Sequence, residues 1–221
     1  MSQPLLLGHR GARHYAPENT FAAFDLALAH GCDGFEFDVR MSADQHSIIV
    51  HDPQLADVVI AGSSAEKIFA LHNAIPRMRQ VFERYADSAY LNVELKVVGL
   101  EARVTELLET YPPRKGLLVS SFLPECLRAM HDLAPQLPLG YVCRRPHLLE
   151  HWRDLPVTHV VLHHRLMTPA VLGQLQSAGK KVFVWSVNQK DHIEEMAALG
   201  VDGIISDDTR LLCDLFLQRR V

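Results

Sequence analysis

The sequence predicts a single α/β domain built as a (β/α)8 TIM barrel over residues 1–221. Three observations carry the prediction. Short apolar runs alternate with helix-periodic segments along the whole chain. The 221 residues are 48% hydrophobic, enough for one large core that a barrel of this length uses without subdividing. Finally, Gly8-His9-Arg10-Gly11 after the first apolar run is not the glycine-rich phosphate loop that the rival fold, an open doubly wound sheet, usually carries there.

The elements follow in order. Residues 5–8 form the first strand. Residues 20–30 form a helix, with Phe21, Phe24 and Leu28 at helical spacing. Pro17-Glu18-Asn19-Thr20 reads as its start, with Asn19 or Thr20 as N-cap, and Asn19 as a secondary candidate for bracing a site. Further strands are expected at 34–39, 89–97, 117–121, 139–142, 157–162, 181–187 and 203–206. Residues 47–50 end or extend the strand region after Val39. Helices are expected at 80–86, 100–111, 124–133, 169–178, 191–199 and 208–218. Residues 59–73 are the least patterned part, with Gly62-Ser63-Ser64 in a loop, and read as a small insertion.

Two lead-ins resemble each other. Gly31-Cys32-Asp33-Gly34 runs into Phe35-Glu36-Phe37-Asp38, and Gly200-Val201-Asp202-Gly203 into Ile204-Ile205-Ser206-Asp207. In both, a glycine caps a helix and Asp-Gly turns the chain into a strand. The second copy has Ile205 where the first has Glu36. The scaffold does not require an acid there, so Glu36 has a specific task.

Composition excludes several classes. The net charge is −4, with both signs scattered, so neither a nucleic-acid stripe nor a disordered acidic tail is present. The four cysteines form no CxxC pair, which argues for reduced thiols and a cytoplasmic protein. No secretion signal and no membrane-spanning run is read, so stable membrane insertion is not expected. The sequence leaves homo-oligomerisation open.

Glu36 and Asp38 are two apart in a strand and share one face, while Phe35, Phe37 and Val39 point the other way. Asn92, Glu94 and Lys96 repeat the pattern. In an antiparallel sheet this would mark a wet face. In a barrel it marks the interior, and brings Glu36, Asp38 and Glu94 together at the C-terminal mouth. Three carboxylates in one hollow repel unless a divalent cation joins them; all-oxygen ligands suit Mg²⁺ or Ca²⁺ better than zinc.

His9 and His51 follow strand runs beside these acids and make an acid–base pair, since imidazole titrates near neutrality. Asp52 either orients His51 or starts a turn. Arg10 and Lys96 are the cations best placed for an anionic substrate, with a salt bridge to Glu94 as the alternative for Lys96. Trp185 shares strand parity with Phe183 and Val187, and packs in the core or forms part of the substrate wall. Ser120-Ser121-Phe122 is placed to line the mouth, without a base to activate a serine. Together these groups describe electrostatic stabilisation of phosphoryl transfer.

These motifs resemble the glycerophosphodiester phosphodiesterase family. The resemblance rests on His9-Arg10-Gly11, Pro17-Glu18-Asn19-Thr20, Glu36-Phe37-Asp38, Val50-His51-Asp52, Glu94-Leu95-Lys96, Val184-Trp185-Ser186-Val187-Asn188 and the segment from Gly200 to Asp207. It implies a (β/α)8 barrel that hydrolyses glycerophosphodiesters to sn-glycerol 3-phosphate and an alcohol, as in lipid and glycerol metabolism. It further implies one divalent cation on Glu36, Asp38 and Glu94, acid–base work by His9 and His51, and phosphate contacts from Arg10 and Lys96. The chain departs from the family between Asp52 and Ile75, where the insertion is short and lacks a threonine-rich start. That leaves head-group and glycerol preference open and admits a lysophospholipid or other bulky diester as an alternative substrate. A separate alternative is a non-catalytic barrel that only holds phosphate ligands, against which His9 and His51 argue.

Overall fold

Side-chain alternation along the strands decides the architecture. The computed structural model describes residues 3–217. The elements run β1 (Leu5–His9), α1 (Phe21–Ala29), β2 (Gly34–Met41), β3 (Ser47–Ile49), β4 (Gln54–Leu55), β5 (Val58–Val59), α2 (Ala65–Leu71), α3 (Met78–Tyr85), β6 (Tyr90–Leu95), α4 (Glu101–Thr110), β7 (Leu117–Ser121), α5 (Pro124–Leu133), β8 (Leu139–Cys143), β9 (His159–His163), α6 (Pro169–Ser177), β10 (Lys181–Trp185), α7 (Lys190–Leu199), β11 (Gly203–Ser206) and α8 (Thr209–Leu217). Strands β1, β2, β6, β7, β8, β9, β10 and β11 pair in parallel, and β11 returns to β1, so the sheet closes as a (β/α)8 barrel. Closure leaves no barrel edge to protect.

Outward-facing residues meet the helices. Phe24 of α1 stacks on Phe35 of β2 with ring centroids 4.2 Å apart, and Phe37 and Tyr85 complete that aromatic layer. Inward-facing Leu7, Tyr90, Leu118, Val142, Val161, Phe183 and Ile205 form a separate apolar plug. The barrel is thus a packed core and not a pore, and polar groups find room only above the plug. Gly34 is required at the plug level: a Cβ there would lie 1.9 Å from the Tyr90 carbonyl oxygen.

Local signals account for the helix ends. Thr20 caps α1 by accepting from the Ala23 N–H. Helices α5 and α6 begin with proline, and α7 ends on Gly200 in the left-handed region, φ 85°. Among the described residues no helix is long and apolar enough to cross a membrane.

One expectation needs correction, and two further segments hold structure that the sequence pattern does not announce. Residues 47–50 do not extend the barrel. Ser47–Ile49 folds back antiparallel on Val39, Arg40 and Met41, turning through Gln45 at φ 60°. Residues 59–73, read as a small insertion, hold regular structure. They contain a 3-10 turn and helix α2, capped by Ser64 and packed on a satellite cluster of Ile48, Val50, Val58, Ile60, Ala65 and Ile68. Helix α2 has seven residues, of which two are buried, too few to leave a clear period in the sequence. The link from β8 to β9 contains a 3-10 stretch, Pro146–Asp154, where an α-helix would be ordinary for this fold. The predicted end of the last helix, residue 218, lies outside the described residues.

Candidate active site

Three acids meet above the plug. Glu36 and Asp38 come from the inner face of β2, and Glu94 from the inner face of β6, where Asp38 and Glu94 are direct cross-strand neighbours. One carboxylate oxygen from each lies within 4.8 Å of the others. All three side chains are buried. Such a cluster holds together only with compensating charge.

Arg10 supplies part of that charge, and Asn19 supplies hydrogen bonds. Arg10 and Asn19 both adopt the left-handed region, φ 54° and 59°. Outside glycine this conformation costs of the order of 1–3 kcal/mol and persists where the surroundings over-determine it. Here the Asn19 N–H donates to the Arg10 carbonyl at 3.0 Å. The turn aims the Arg10 N–H at Glu36 Oε2, 2.9 Å away. The Arg10 guanidinium reaches Asp38 through Nε at 3.1 Å and donates to Glu18 through its Nη1 at 2.8 Å. Asn19 brackets Asp38, its Nδ2 donating to Oδ2 at 3.0 Å and its Oδ1 accepting the Asp38 N–H at 3.2 Å. The helix cap belongs to Thr20. Asn19 is therefore a brace, which corrects the expectation that capping is its main task.

Lys96 lies on Asp38 Oδ1 at 2.9 Å and also contacts Glu94. Both neighbours raise its pKa, outweighing the opposing effect of its burial. The acids separate accordingly. Burial pushes the Asp38 carboxyl upward, but Lys96, Arg10 and the Asn19 hydrogen bond outweigh it and leave the group below its ordinary value. Glu94 is pushed up to about 7 by burial and by the charge on Asp38, against the pull of Lys96. Glu36 rises well above the usual carboxylate range, from burial and the two neighbouring acids. Its Oε1 is buried with no hydrogen-bond partner among the described residues. An orphaned acid oxygen beside two more carboxylates fits an oxygen-ligated divalent cation.

His9 ends β1 and faces the cluster, its Nε2 4.0 Å from Glu36 Oε2. Its Nδ1 bonds Asp207 Oδ1 at 2.6 Å. Asp207 follows β11 and is fixed in turn by Asn188: its Oδ2 accepts from Asn188 Nδ2 at 2.5 Å, and its N–H donates to Asn188 Oδ1 at 2.8 Å. Burial raises the Asp207 pKa, but the bond and charge of His9 win and the acid stays below its normal range. The sequence reading passed over Asp207 as a site residue. The signal was available in the repeated lead-in, where Asp207 occupies the place of Asp38.

His51 follows β3 with a side chain 33% exposed, so it is reachable from solvent. Its Nδ1 bonds Asp52 Oδ1 at 2.7 Å, which decides for the orienting role of Asp52. Partial burial, together with Lys96 and Arg10, lowers the His51 pKa against the opposing charge of Asp38. Arg40 Nε donates to the His51 carbonyl at 2.7 Å and pins this end of the strand.

His9, Arg10, His51, Glu94, Lys96 and Trp185 line one cavity of about 510 Å³. Glu36 lies in a narrower recess beneath it, with Asn92, Glu94 and Ser120. Ser120 donates to Asn92 Oδ1 at 2.8 Å, so this serine is structural. Trp185 is half-buried at the mouth, edge-on to Phe122 at 5.7 Å between ring centroids. It belongs to the cavity wall. The eight residues singled out from the sequence thus gather at one end of the barrel.

Comparison with known proteins agrees. The Glycerophosphoryl diester phosphodiesterase family matches residues 9–211. A glycerophosphodiester phosphodiesterase of Caldanaerobacter subterraneus subsp. tengcongensis is 32% identical, over 96% of this chain and 97% of its own. The crystal structure of the glycerophosphodiester phosphodiesterase of Thermotoga maritima shares the fold, with TM-score 0.85 and 24% identity over 97% of this chain and 99% of that one. An Oleispira antarctica phosphodiesterase, solved in complex with the product sn-glycerol-3-phosphate, has TM-score 0.85 and 25% identity over 97% of each chain. Barrel, motif order and a match across nearly the whole length lead to one assignment: the chain belongs to the glycerophosphoryl diester phosphodiesterase family, whose members are phosphodiester hydrolases.

Proposed function

We propose that the chain hydrolyses glycerophosphodiesters to sn-glycerol 3-phosphate and an alcohol, in a reaction that depends on a divalent cation. The observation that carries this is the convergence of Glu36, Asp38 and Glu94 on one point, with an unpartnered Glu36 oxygen. The product bound in the Oleispira antarctica relative supports the choice of substrate.

Glu36, Asp38 and Glu94 would hold the ion, Mg²⁺ or Ca²⁺. When bound, it supplies Lewis-acid polarisation of the phosphoryl oxygens. Arg10 and Lys96 orient the phosphate and neutralise charge that grows on its equatorial oxygens. Trp185 closes one side of the pocket. His9 presents Nε2 because Asp207 occupies Nδ1; His51 presents Nε2 because Asp52 occupies Nδ1. One imidazole takes the proton of the attacking oxygen and the other gives a proton to the leaving alcohol. A carboxylate on Nδ1 stabilises the imidazolium that forms. The cytoplasmic placement inferred from cysteine usage belongs to the same reading, and Cys32 and Cys213 are free thiols with sulfurs 3.6 Å apart.

The test is incubation of the pure protein with glycerophosphocholine, glycerophosphoethanolamine and glycerophosphoglycerol, each with Mg²⁺ or Ca²⁺. Metal-dependent release of sn-glycerol 3-phosphate is expected. No release from any of them, with either metal, overturns the reading.

A second substrate class has one observation in its favour. A cavity of about 490 Å³ shares His51 with the first and is lined by Ile49, Val50, Leu55, Leu71 and Ile75. It suits the acyl chain of a lysophospholipid. Phosphorus NMR of the products from a lysophospholipid separates the two, since only this second reading expects turnover of that substrate.

A further inference from the structure

The cavity of about 510 Å³ is longer than the catalytic cluster needs. Its lining joins His9, His51, Glu94 and Lys96 to Arg144, Arg145 and Leu148 in the chain leaving β8, the strand across the barrel from β1. Strand parity explains this. Val142 points into the plug and Cys143 outward to the helix layer, so Arg144 comes next over the mouth.

The cations at the two ends differ. Arg10 is held by Glu18 and Asp38, and Lys96 by Asp38 and Glu94. Arg40 is bonded to the His51 carbonyl. Among the described residues, the side chains of Arg144 and Arg145 have no hydrogen bond or ion pair, although both face the cavity. Glu150, the next acid along this segment, is taken by Arg153 at 2.5 Å. Trp185 also lines the cavity. Two unpaired guanidinium groups line a pocket whose one acidic lining residue, Glu94, belongs to the catalytic cluster.

We infer that the part of the cavity at Arg144 and Arg145 is a subsite for an anionic group, a carboxylate or a second phosphate, carried by the non-glycerol arm of the diester. The inference rests on the functional reading above. Arginine forks pair with carboxylate and phosphate oxygens, and a cationic rim disfavours a choline-like arm by like-charge repulsion. Binding energy spent away from the reacting phosphorus is present in both ground and transition states, so it appears chiefly in KM.

The test compares kcat/KM for four substrates at saturating metal: glycerophosphocholine, glycerophosphoglycerol, glycerophosphoserine and glycerophosphoglycerol bearing a terminal phosphate. The phosphate-bearing substrate is expected to exceed glycerophosphoglycerol by about tenfold or more, mostly through KM, with glycerophosphocholine slowest; added salt compresses the range. In the double variant Arg144→Gln/Arg145→Gln the ratio falls toward one. Arg144→Glu/Arg145→Glu reverses the order in favour of glycerophosphocholine. Hydrolysis of all four at equal efficiency, or an unchanged ratio in both double variants, overturns the subsite and leaves the diesterase intact. Hydrolysis of none overturns the functional reading, and the subsite with it.

Discussion

The lead-in to β2 and the lead-in to β11 are built alike and perform different tasks. Asp33 accepts the Leu6 N–H at 2.8 Å, and Asp202 accepts the Val182 N–H at 2.8 Å. Each carboxylate thereby ties its own strand to a neighbour in the barrel. Two residues past the Asp-Gly turn stands Glu36 in one copy and Ile205 in the other. Four past it stands an acid in both: Asp38 joins the carboxylate cluster, and Asp207 holds His9. The scaffold fixes the direction of each side chain. At the second position the same residue type serves two ends: Asp38 joins the acids proposed to hold a cation, and Asp207 meets an imidazole.

Exchanging the distinctive residues should break this comparison most strongly. Glu36→Gln is expected to lower turnover by about three orders of magnitude or more, since one ligand of the proposed ion site and its charge are lost together. Calorimetric titration with Mg²⁺ or Ca²⁺ should show weakened binding. The mirror change, Ile205→Glu, should create no second site. It places an unpaired acid in the apolar plug and should cost roughly 3–5 kcal/mol in a denaturant titration. An Ile205→Glu protein of normal stability would show that the plug is wetter than its packing indicates.

The next effect concerns the two acids four residues on. His9→Ala is expected to lower kcat by about 10²–10⁴ with the fold retained. Asp207→Asn keeps the size of the side chain and removes the charge. It should lower kcat by roughly 10–100-fold and shift the acidic limb of the pH–rate profile, as expected of a group that acts through His9. Equal kcat in Asp207→Asn and the parent would reduce the 2.6 Å contact to a structural one.

Proton linkage gives a smaller effect. Without an ion, burial and the neighbouring acids favour a proton on Glu94, whose pKa is pushed up to about 7, and on Glu36, whose pKa lies well above the usual carboxylate range; a bound divalent cation would displace both. Apparent affinity for Mg²⁺ or Ca²⁺ should therefore rise with pH through 7, by about tenfold or more per unit below it. Isothermal titration between pH 5.5 and 8 reads this slope. A flat profile would mean that both acids are already ionised in the ion-free protein.

The smallest effect separates the two glycines that end the lead-ins. A Cβ at Gly34 meets the rigid Tyr90 carbonyl at 1.9 Å; one at Gly203 meets the Phe183 ring at 2.7 Å. A ring turns aside more readily than backbone. Gly34→Ala should cost more than about 3 kcal/mol and Gly203→Ala about 1–2 kcal/mol. Thermal denaturation of the pair measures the difference, and equal losses would refute it.

Much of this was legible from the chain. Alternation at Glu36/Asp38 and Asn92/Glu94/Lys96 sets side-chain direction, and the helix–strand rhythm sets which side is inside. Closure then carries His9 to the same place. Two kinds of information stay hidden. Asp207 is 198 residues from His9, and only the β1–β11 pairing brings them together. Asn19 has the composition of a cap, and only its left-handed backbone turns the amide away from the helix and onto Asp38. Segments such as α2 and the 3-10 stretch before β9 are short and partly solvated, so they leave little pattern to read.

The paired left-handed turns at Arg10 and Asn19 have a consequence for how the enzyme becomes competent. The bonds that fix them come from the polypeptide itself: one backbone link between them, one from the Arg10 N–H to Glu36 and two between Asn19 and Asp38, with the Arg10 guanidinium held by Glu18 and Asp38. The stretch from Gly8 to Thr20 is thus shaped while the chain folds, and the pocket greets its cargo ready-made. On the proposed reading, discrimination between diesters falls to the opposite rim, at Arg144 and Arg145.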